Sequence, residues 1–129
     1  MGVKKKLALL ALVMAPLYGC VALVAGGAGA AGAYMWTHGN LTRNYHQPME
    51  TTWEGALHAL SVLNLPVIEQ EHDKFNGRIK AKMAVKNDQL IIIMERWTDN
   101  ETKVTVRAGP LGNRGISERV HEEIARALK

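Results

Sequence analysis

The sequence predicts an α+β fold, a two-layer sandwich in which two helices cover one face of a four-stranded antiparallel meander, in the order α-β-β-β-β-α. Two stretches carry apolar residues at the spacing of an amphipathic helix, near residues 49–63 and 116–128. Four short segments of strand character lie between them, joined by short turns. This domain is predicted over residues 48–129, after a signal peptide and a Gly/Ala-rich segment.

The first helix is predicted from an apolar stripe that recurs every three or four residues. The stripe consists of Met49, Trp53, Ala56, Leu57, Leu60 and Leu63. Pro48 favours the start, because proline fits the first positions of a helix. Asn64 and Pro66 favour the end, since asparagine tolerates a left-handed backbone and proline cannot continue the helix.

Four strands are predicted between the helices. The first covers residues 67–72 and the second residues 78–85, with Asn76-Gly77 in the intervening turn because this pair suits a positive φ. The third, residues 90–97, begins as a continuous apolar run, as a central strand does. The fourth, residues 103–107, alternates inward valines with outward polar residues.

The last helix is predicted from a second amphipathic stripe. Its apolar face carries Ile116, Val120, Ile124, Ala127 and Leu128. His121 of this helix and His58 of the first helix are both predicted on the polar sides.

The N-terminus has the three regions of a secretory signal peptide, predicted over residues 1–19. Three consecutive lysines, Lys4 to Lys6, precede an apolar run that ends at Leu17. That run is too short to span a bilayer. The chain is therefore predicted to enter a secretory pathway.

A short motif at the end of this segment resembles the lipobox of bacterial lipoproteins. It reads Leu17-Tyr18-Gly19-Cys20, with Tyr18 in place of the small residue usual at that position. The resemblance implies cleavage before Cys20, a diacylglyceryl group on its thiol and acylation of the new amine. Membrane lipid is then the first expected partner, because two or three chains anchor stably where one binds only marginally. The alternative is an uncleaved signal anchor, since apolar residues continue through Ala33.

Residues 20–47 are predicted to be a lipid-anchored tether rich in Gly and Ala. Glycine recurs at positions 26, 29 and 32, so a helix here would pack its backbone closely against another helix. A flexible spacer is the alternative, because glycine lowers helix stability. Tyr34 and Trp36 need packing partners and are expected in an edge strand or a membrane contact.

The loop before the last helix is the candidate binding site of the domain. Its amides and the start of the helix are placed to bind an anion or a partner, although the spacing matches neither standard phosphate motif. Turn geometry alone is the alternative explanation of its glycines. The candidate contact residues are Arg107, Gly109, Gly112, Asn113 and Arg114.

Composition and motifs argue against several functional classes. Without Lys4 to Lys6, the sixteen basic residues fall to thirteen against twelve acidic ones, so no nucleic-acid partner is expected. Glu69 and Glu71 fall on one face of their strand and His72 on the other, so they do not converge on a metal. No catalytic triad, paired-carboxylate or HExxH pattern is present, and no enzyme activity, cofactor or metal is predicted.

Several features together resemble an uncharacterised family of small Gram-negative bacterial lipoproteins, a domain of unknown function, over nearly all of residues 20–129. They are the lipobox Cys20, the Gly/Ala stretch ending near Tyr34, Trp53 and Ala56, Val106-Arg107-Ala108-Gly109, Leu111-Gly112-Asn113 and Ser117-Glu118-Arg119-Val120. Asn113 replaces the aspartate usual in the family. The resemblance implies an envelope lipoprotein without indicating an activity. Val21 after the cysteine implies the outer membrane, with the domain facing the periplasm.

Three functional hypotheses follow from these observations. The first is a non-catalytic binding or adapter module whose sheet meets an envelope protein or polymer, through its edge or through a basic open face with Lys80, Lys82, Lys103 and Arg107. The second is a structural protein that oligomerises in the membrane through the Gly/Ala segment. The third is a small-ligand carrier.

Overall fold

A computed structural model describes residues 34–85 and 87–129 of the chain. Within these residues the chain forms six strands and two helices. In chain order they are β1 Met35–Thr37, β2 Asn40–Tyr45, α1 Met49–Val62, β3 Val67–His72, β4 Asn76–Lys82, β5 Gln89–Thr98, β6 Glu101–Ala108 and α2 Arg114–Ala127.

All six strands belong to one antiparallel sheet, in the order β1-β2-β6-β5-β4-β3. The last four strands in sequence form a meander, and β2 pairs with β6 at the far side of it. Val106 of β6 lies between Leu41 of β2 on one side and Ile92 of β5 on the other. These residues alternate with outward ones along each strand, so one face of the sheet collects the apolar side chains.

The prediction of a four-stranded sheet is wrong, whereas the α+β class agrees with the structure. The two additional strands come from residues 35–45, which the sequence placed in the tether. Strand β1 has three residues, all exposed, and β2 carries Arg43 between the inward Leu41 and Tyr45. A strand so short, and a charged residue at an inward position, hide the apolar alternation by which strands are recognised.

The β1–β2 hairpin closes through a tight turn at His38 and Gly39. Both residues have positive φ, of 50° and 87°, as a two-residue type I′ turn requires. Thr37 and Asn40 pair directly on either side of it. The hairpin therefore forms one end of the sheet, and β1 is its free edge.

The core lies between one face of the sheet and the two helices. Strand β6 shows the division most clearly, because Thr102, Val104, Val106 and Ala108 are buried and the residues between them are not. Helix α1 adds Trp53 and Leu60 to this core, and α2 adds Val120 and Ile124. The opposite face of the sheet has no helix of the described chain over it.

Helix α1 begins and ends where the sequence predicted. Pro48 is its N-cap, and Asn64 just beyond its C-terminus has a φ of 56°, in the left-handed region. The backbone N–H of Leu65 then donates to the carbonyl of Leu60 across the helix end. The predicted roles of Pro48 and Asn64 are confirmed.

The turn between β3 and β4 is stabilised by a different interaction from the one predicted. The Asp73 carboxylate accepts hydrogen bonds of 2.8 Å from the backbone N–H groups of Phe75 and Asn76, which lower the pKa of Asp73. Gly77 lies in β4, where a Cβ atom would stand 2.7 Å from the ring of Trp53. Glycine is needed there for the space that the indole occupies, and not for a positive φ.

Candidate functional site

A buried polar cluster joins β2 to α2 and is centred on the fully buried His121. Nε2 of the ring lies 2.8 Å from the carbonyl oxygen of Leu41, and it must donate because a carbonyl only accepts. Nδ1 is then the acceptor, and the Tyr45 hydroxyl donates to it at 2.7 Å. The same hydroxyl lies 3.1 Å from the carbonyl oxygen of His121. The partners thus select one neutral tautomer.

Burial sets the charge state of this cluster. It lowers the pKa of His121 to about 4, opposed by the hydrogen bond to Leu41 and reinforced by the charge of Arg43. Burial also raises the pKa of the Tyr45 hydroxyl above its usual range, against the effect of Arg43. The Arg43 guanidinium lies 4.8 Å from the ring centroid of Tyr45 and 5.4 Å from that of Tyr34. His121 is therefore neutral at physiological pH.

The predicted position of His121 on the polar side of its helix is wrong, whereas His58 is exposed as predicted. Both ring nitrogens of His121 are engaged by protein groups, so the imidazole has no free lone pair to act as a base. No part of it is exposed to a substrate. This geometry suits a structural connection between β2 and α2 and not acid–base catalysis.

Arg107, a predicted binding residue, holds two loops together. Its guanidinium donates to the carbonyl oxygen of His38 at 2.7 Å, to Oδ1 of Asn40 at 3.3 Å and to the carbonyl oxygen of Pro110. Two of these acceptors belong to the β1–β2 hairpin and the third to the loop after β6. The donors expected to meet an anion are thus directed at protein oxygens.

Two loop glycines have a left-handed backbone, and one of them meets the same hairpin. Gly109 and Gly112 have positive φ, of 78° and 79°. A Cβ atom at Gly112 would collide with the backbone of Gly39, so two loops touch here backbone to backbone. These glycines supply turn geometry and close approach.

The remaining predicted binding residues begin helix α2. Asn113 is its N-cap, and the side-chain oxygen accepts a 3.0 Å hydrogen bond from the N–H of Ile116. Arg114 pairs with Glu118 at 3.0 Å, and its guanidinium lies 5.9 Å from the ring centroid of Trp36. The structure thus brings all five predicted residues to one end of the domain, beside the β1–β2 hairpin.

The sheet face opposite the helices is the second candidate surface, here called the open face. One row across it reads Met35, Thr42, Thr105, Ile93, Arg78 and Glu71, by the register of successive strands. Ile93 lies near the middle of this row and is 43% exposed. Trp97, at the irregular end of β5, is 61% exposed. An isoleucine so exposed within a sheet is available to a partner.

Of the three lysines predicted on the open face, Lys80 and Lys103 have carboxylate partners, and no ion pair of the described residues includes Lys82. Lys80 lies 3.2 Å from the Glu69 carboxylate, and Lys103 lies 3.5 Å from that of Glu95. The ammonium of Lys103 is also 5.9 Å from the ring centroid of Trp97. Since Arg107 is bonded to the loops, the basic character expected of this face is mostly neutralised within the protein.

Glu69, Glu71 and His72 separate as the sequence predicted. Glu69 and Glu71 lie opposite Lys80 and Arg78 of β4 on the open face, whereas His72 stacks on Trp53 at 4.1 Å between ring centroids. Among residues 34–85 and 87–129, no three His, Cys, Asp or Glu side chains are grouped to hold a metal ion.

One cleft tests the idea of a small-ligand carrier. It has a volume of about 360 Å³, lies beside His72 and is lined in part by Asp73, Arg78 and Ile93. It opens widely to solvent at the edge of the sheet. Ligand sites usually enclose most of the ligand surface, so this cleft offers weak support for that function.

The predicted lipidation site and its cleavage motif, Leu17, Tyr18, Gly19 and Cys20, lie outside the described residues, as does the Gly/Ala stretch. Neither helix within residues 34–85 and 87–129 has the length and hydropathy needed to cross a bilayer.

Comparison with known proteins gives one family. The model of a family described as "Protein of unknown function (DUF3568)" matches residues 5–127. No curated protein is similar in sequence.

The buried histidine predicts a pH-dependent stability. Because the pKa of His121 falls from 6.5 in the unfolded chain to about 4 in the fold, protonation favours unfolding. The contribution of neutral His121 to the free energy of unfolding is complete above pH 6.5. It is lost as the pH falls towards 4, which lowers the free energy of unfolding by about 3 kcal/mol in all. Urea unfolding across this range checks the slope.

The exposed His58 provides the control for this prediction. We expect His121→Gln to lower stability at pH 7 and to flatten the slope between pH 6.5 and 4, and His58→Gln to change neither. An unchanged slope in His121→Gln would contradict the assignment.

The contact between the two loops predicts opposite effects at two neighbouring glycines. Gly112→Ala should lower the free energy of unfolding by at least about 2 kcal/mol, because Cβ meets the backbone of Gly39 at a positive φ. Gly115→Ala, where only Oδ1 of Asn113 lies near at 3.5 Å, should leave stability unchanged or raise it by up to about 1 kcal/mol. Equal effects in urea unfolding would contradict the contact.

Proposed function

The chain belongs to the DUF3568 family of unknown function, and on that premise we propose that it is a lipid-anchored bacterial envelope lipoprotein with a non-catalytic binding domain. The domain faces the periplasm. It is attached to the outer membrane, as Val21 after Cys20 implies. Its open face binds a protein partner. The observation that carries the binding role is the exposed, apolar centre of a sheet face that neither helix covers.

The lipid anchor is supported by the sequence. The run of lysines, the apolar segment and Leu17-Tyr18-Gly19-Cys20 follow in the order of a lipoprotein signal. The family match covers residues 5–127, so this motif falls within the family's own extent. The acyl chains on Cys20 would hold the domain at the membrane without a spanning helix.

The chemistry of the open face favours a protein over an anionic polymer. A polymer would be recognised by a row of free cations, but Lys80 and Lys103 already have carboxylate partners, which leaves only Arg78 and Lys82, of this face's lysines and the β4 arginine, without an ion pair among the described residues. The apolar side chains near them, Ile91, Ile93 and Trp97, gain more by leaving water. Aromatic and branched side chains surrounded by paired charges are typical of the centre and rim of a protein interface.

A non-catalytic role agrees with the polar groups of the domain. The strongly perturbed side chains, His121 and Tyr45, are bonded to each other inside the core. Among the surface histidines, His72 stacks on Trp53 and its Nε2 lies 3.3 Å from the Glu50 carboxylate. These groups stabilise the packing of helices on the sheet.

Site-specific photo-crosslinking tests the binding role. A photoreactive residue at Ile93 should give a discrete protein adduct in the cell envelope, because this side chain lies at the centre of the open face. The same residue at Val62, which is 51% exposed on α1, is the matched control and should give none. Identical adducts at both positions, or none at Ile93, would contradict the proposal.

A charge substitution then tests whether the adduct reports affinity. Once crosslinking has identified the partner, its co-purification with the protein is measured without a crosslink. Ile93→Asp should reduce the amount of partner recovered about tenfold or more, as expected for a central interface residue. Val62→Asp should leave recovery unchanged. Clean isolation of the unaltered protein as a lone monomer under mild extraction would count against a partner.

A further inference from the structure

Large apolar side chains are exposed at the end of the domain where the chain enters it. Trp36 is 36% exposed and Leu111 is 87% exposed. The first belongs to the edge strand β1, and the second belongs to the loop between β6 and α2. With Arg114, whose guanidinium lies 5.9 Å from the ring centroid of Trp36, they are called the β1 patch.

The scaffold beneath the β1 patch is firmly connected. Arg107 bonds to the carbonyls of His38 and Pro110, which joins the hairpin to the loop that carries Leu111. The backbones of Gly39 and Gly112 meet between them. Side chains more than seventy residues apart in sequence are thus held at one end of the domain by contacts that leave the apolar groups outside.

Two arginines lie at the β1 patch, Arg107 and Arg114. Arg107 donates to the carbonyl oxygens of His38 and Pro110, and Arg114 pairs with Glu118 at 3.0 Å. Tryptophan beside arginine is the combination favoured at a membrane interface, where the ring lies among the headgroups.

The length of chain from Cys20 brings this end close to a bilayer. Tyr34 follows Cys20 by fourteen residues (34 − 20), which span at most about 50 Å when extended and about 20 Å as a flexible chain. A domain of this size is about 30 Å across. The chain enters at β1, so an anchor at Cys20 leaves the β1 patch within reach of the lipid surface.

We propose that the β1 patch docks the domain on the lipid bilayer, with Trp36 and Leu111 at the headgroup level and Arg114 among anionic headgroups. The proposal rests on the acylation of Cys20 in the proposed function. Contact through the edge strand stands the sheet upright on the membrane. The open face then points sideways, accessible to a protein partner.

Spin labelling of the acylated protein tests this docking. The chain has one cysteine, Cys20, whose thiol is consumed by the lipid, so Leu111→Cys introduces a single reactive thiol. The labelled protein is reconstituted in vesicles of phosphatidylethanolamine and phosphatidylglycerol. We expect the label at 111 to gain access to oxygen and lose access to a water-soluble nickel chelate, as a group within a bilayer does.

The matched control is Phe75→Cys, which replaces a side chain that is 60% exposed in the β3–β4 turn, at the opposite edge of the sheet. Its label should stay accessible to the nickel chelate. Equal accessibility at 111 and 75 in protein that floats with the vesicles would overturn the docking and leave the anchor intact. Dipolar broadening between labels at 111 without a gain in oxygen access would show that the patch binds a second copy of the chain. That result would also overturn the docking on the bilayer.

Flotation separates this failure from failure of the proposed function. Protein that does not float with the vesicles lacks the anchor, which overturns the proposed acylation and the docking with it. A second pair of variants checks the patch without a label: Leu111→Ser should shift part of the protein to an undocked state, seen as higher protease sensitivity of the hairpin on vesicles, and Phe75→Ser should not. Equal sensitivity in the two variants would contradict the docking.

Discussion

The fold depends on one constraint: six strands share a sheet of which one face carries the buried apolar side chains, and the two helices cover that face. In β6 the alternation is complete, so a shift of one residue in its pairing would expose Val104 and Val106 and bury Lys103 and Arg107. Register, helix placement and the solvent-exposed face are therefore fixed together. The face left uncovered is a consequence of how the core forms, and it is also the surface with most room for a partner.

The buried His121 joins helix α2 to strand β2, next to the end of the domain where the chain enters. Its ring bonds to Leu41 and Tyr45, so helix α2 is fixed to β2 by neutral hydrogen bonds inside the core. Strand β2 in turn holds β1, and Arg107 holds the turn between them. The hairpin at which the chain enters the domain is thus bonded both to the core and to the loop that precedes α2.

Sequence patterns predicted both helices and the four meander strands, because their apolar periods are regular and their ends carry Pro48, Asn64 or short turns. They gave an edge strand at Tyr34 and Trp36 only as one of two alternatives, and they missed β2, where Arg43 occupies an inward position beneath two tyrosine rings. They also misplaced His121, since its burial is stabilised by partners that lie seventy-six and eighty residues away in sequence. The candidate loop residues lie together in the structure, but two of the three oxygens that bind Arg107 come from a hairpin that the pattern did not reveal.

The proposed function and the proposed docking both depend on the chemical state of Cys20, because both need a lipid anchor there. The decisive measurement is the intact mass of the protein extracted from the membranes of its native host, beside a Cys20→Ala variant. The account predicts a polypeptide that begins at Cys20 and carries acyl chains, and a variant without them. A mass that retains Met1 through Gly19 without lipid would contradict it.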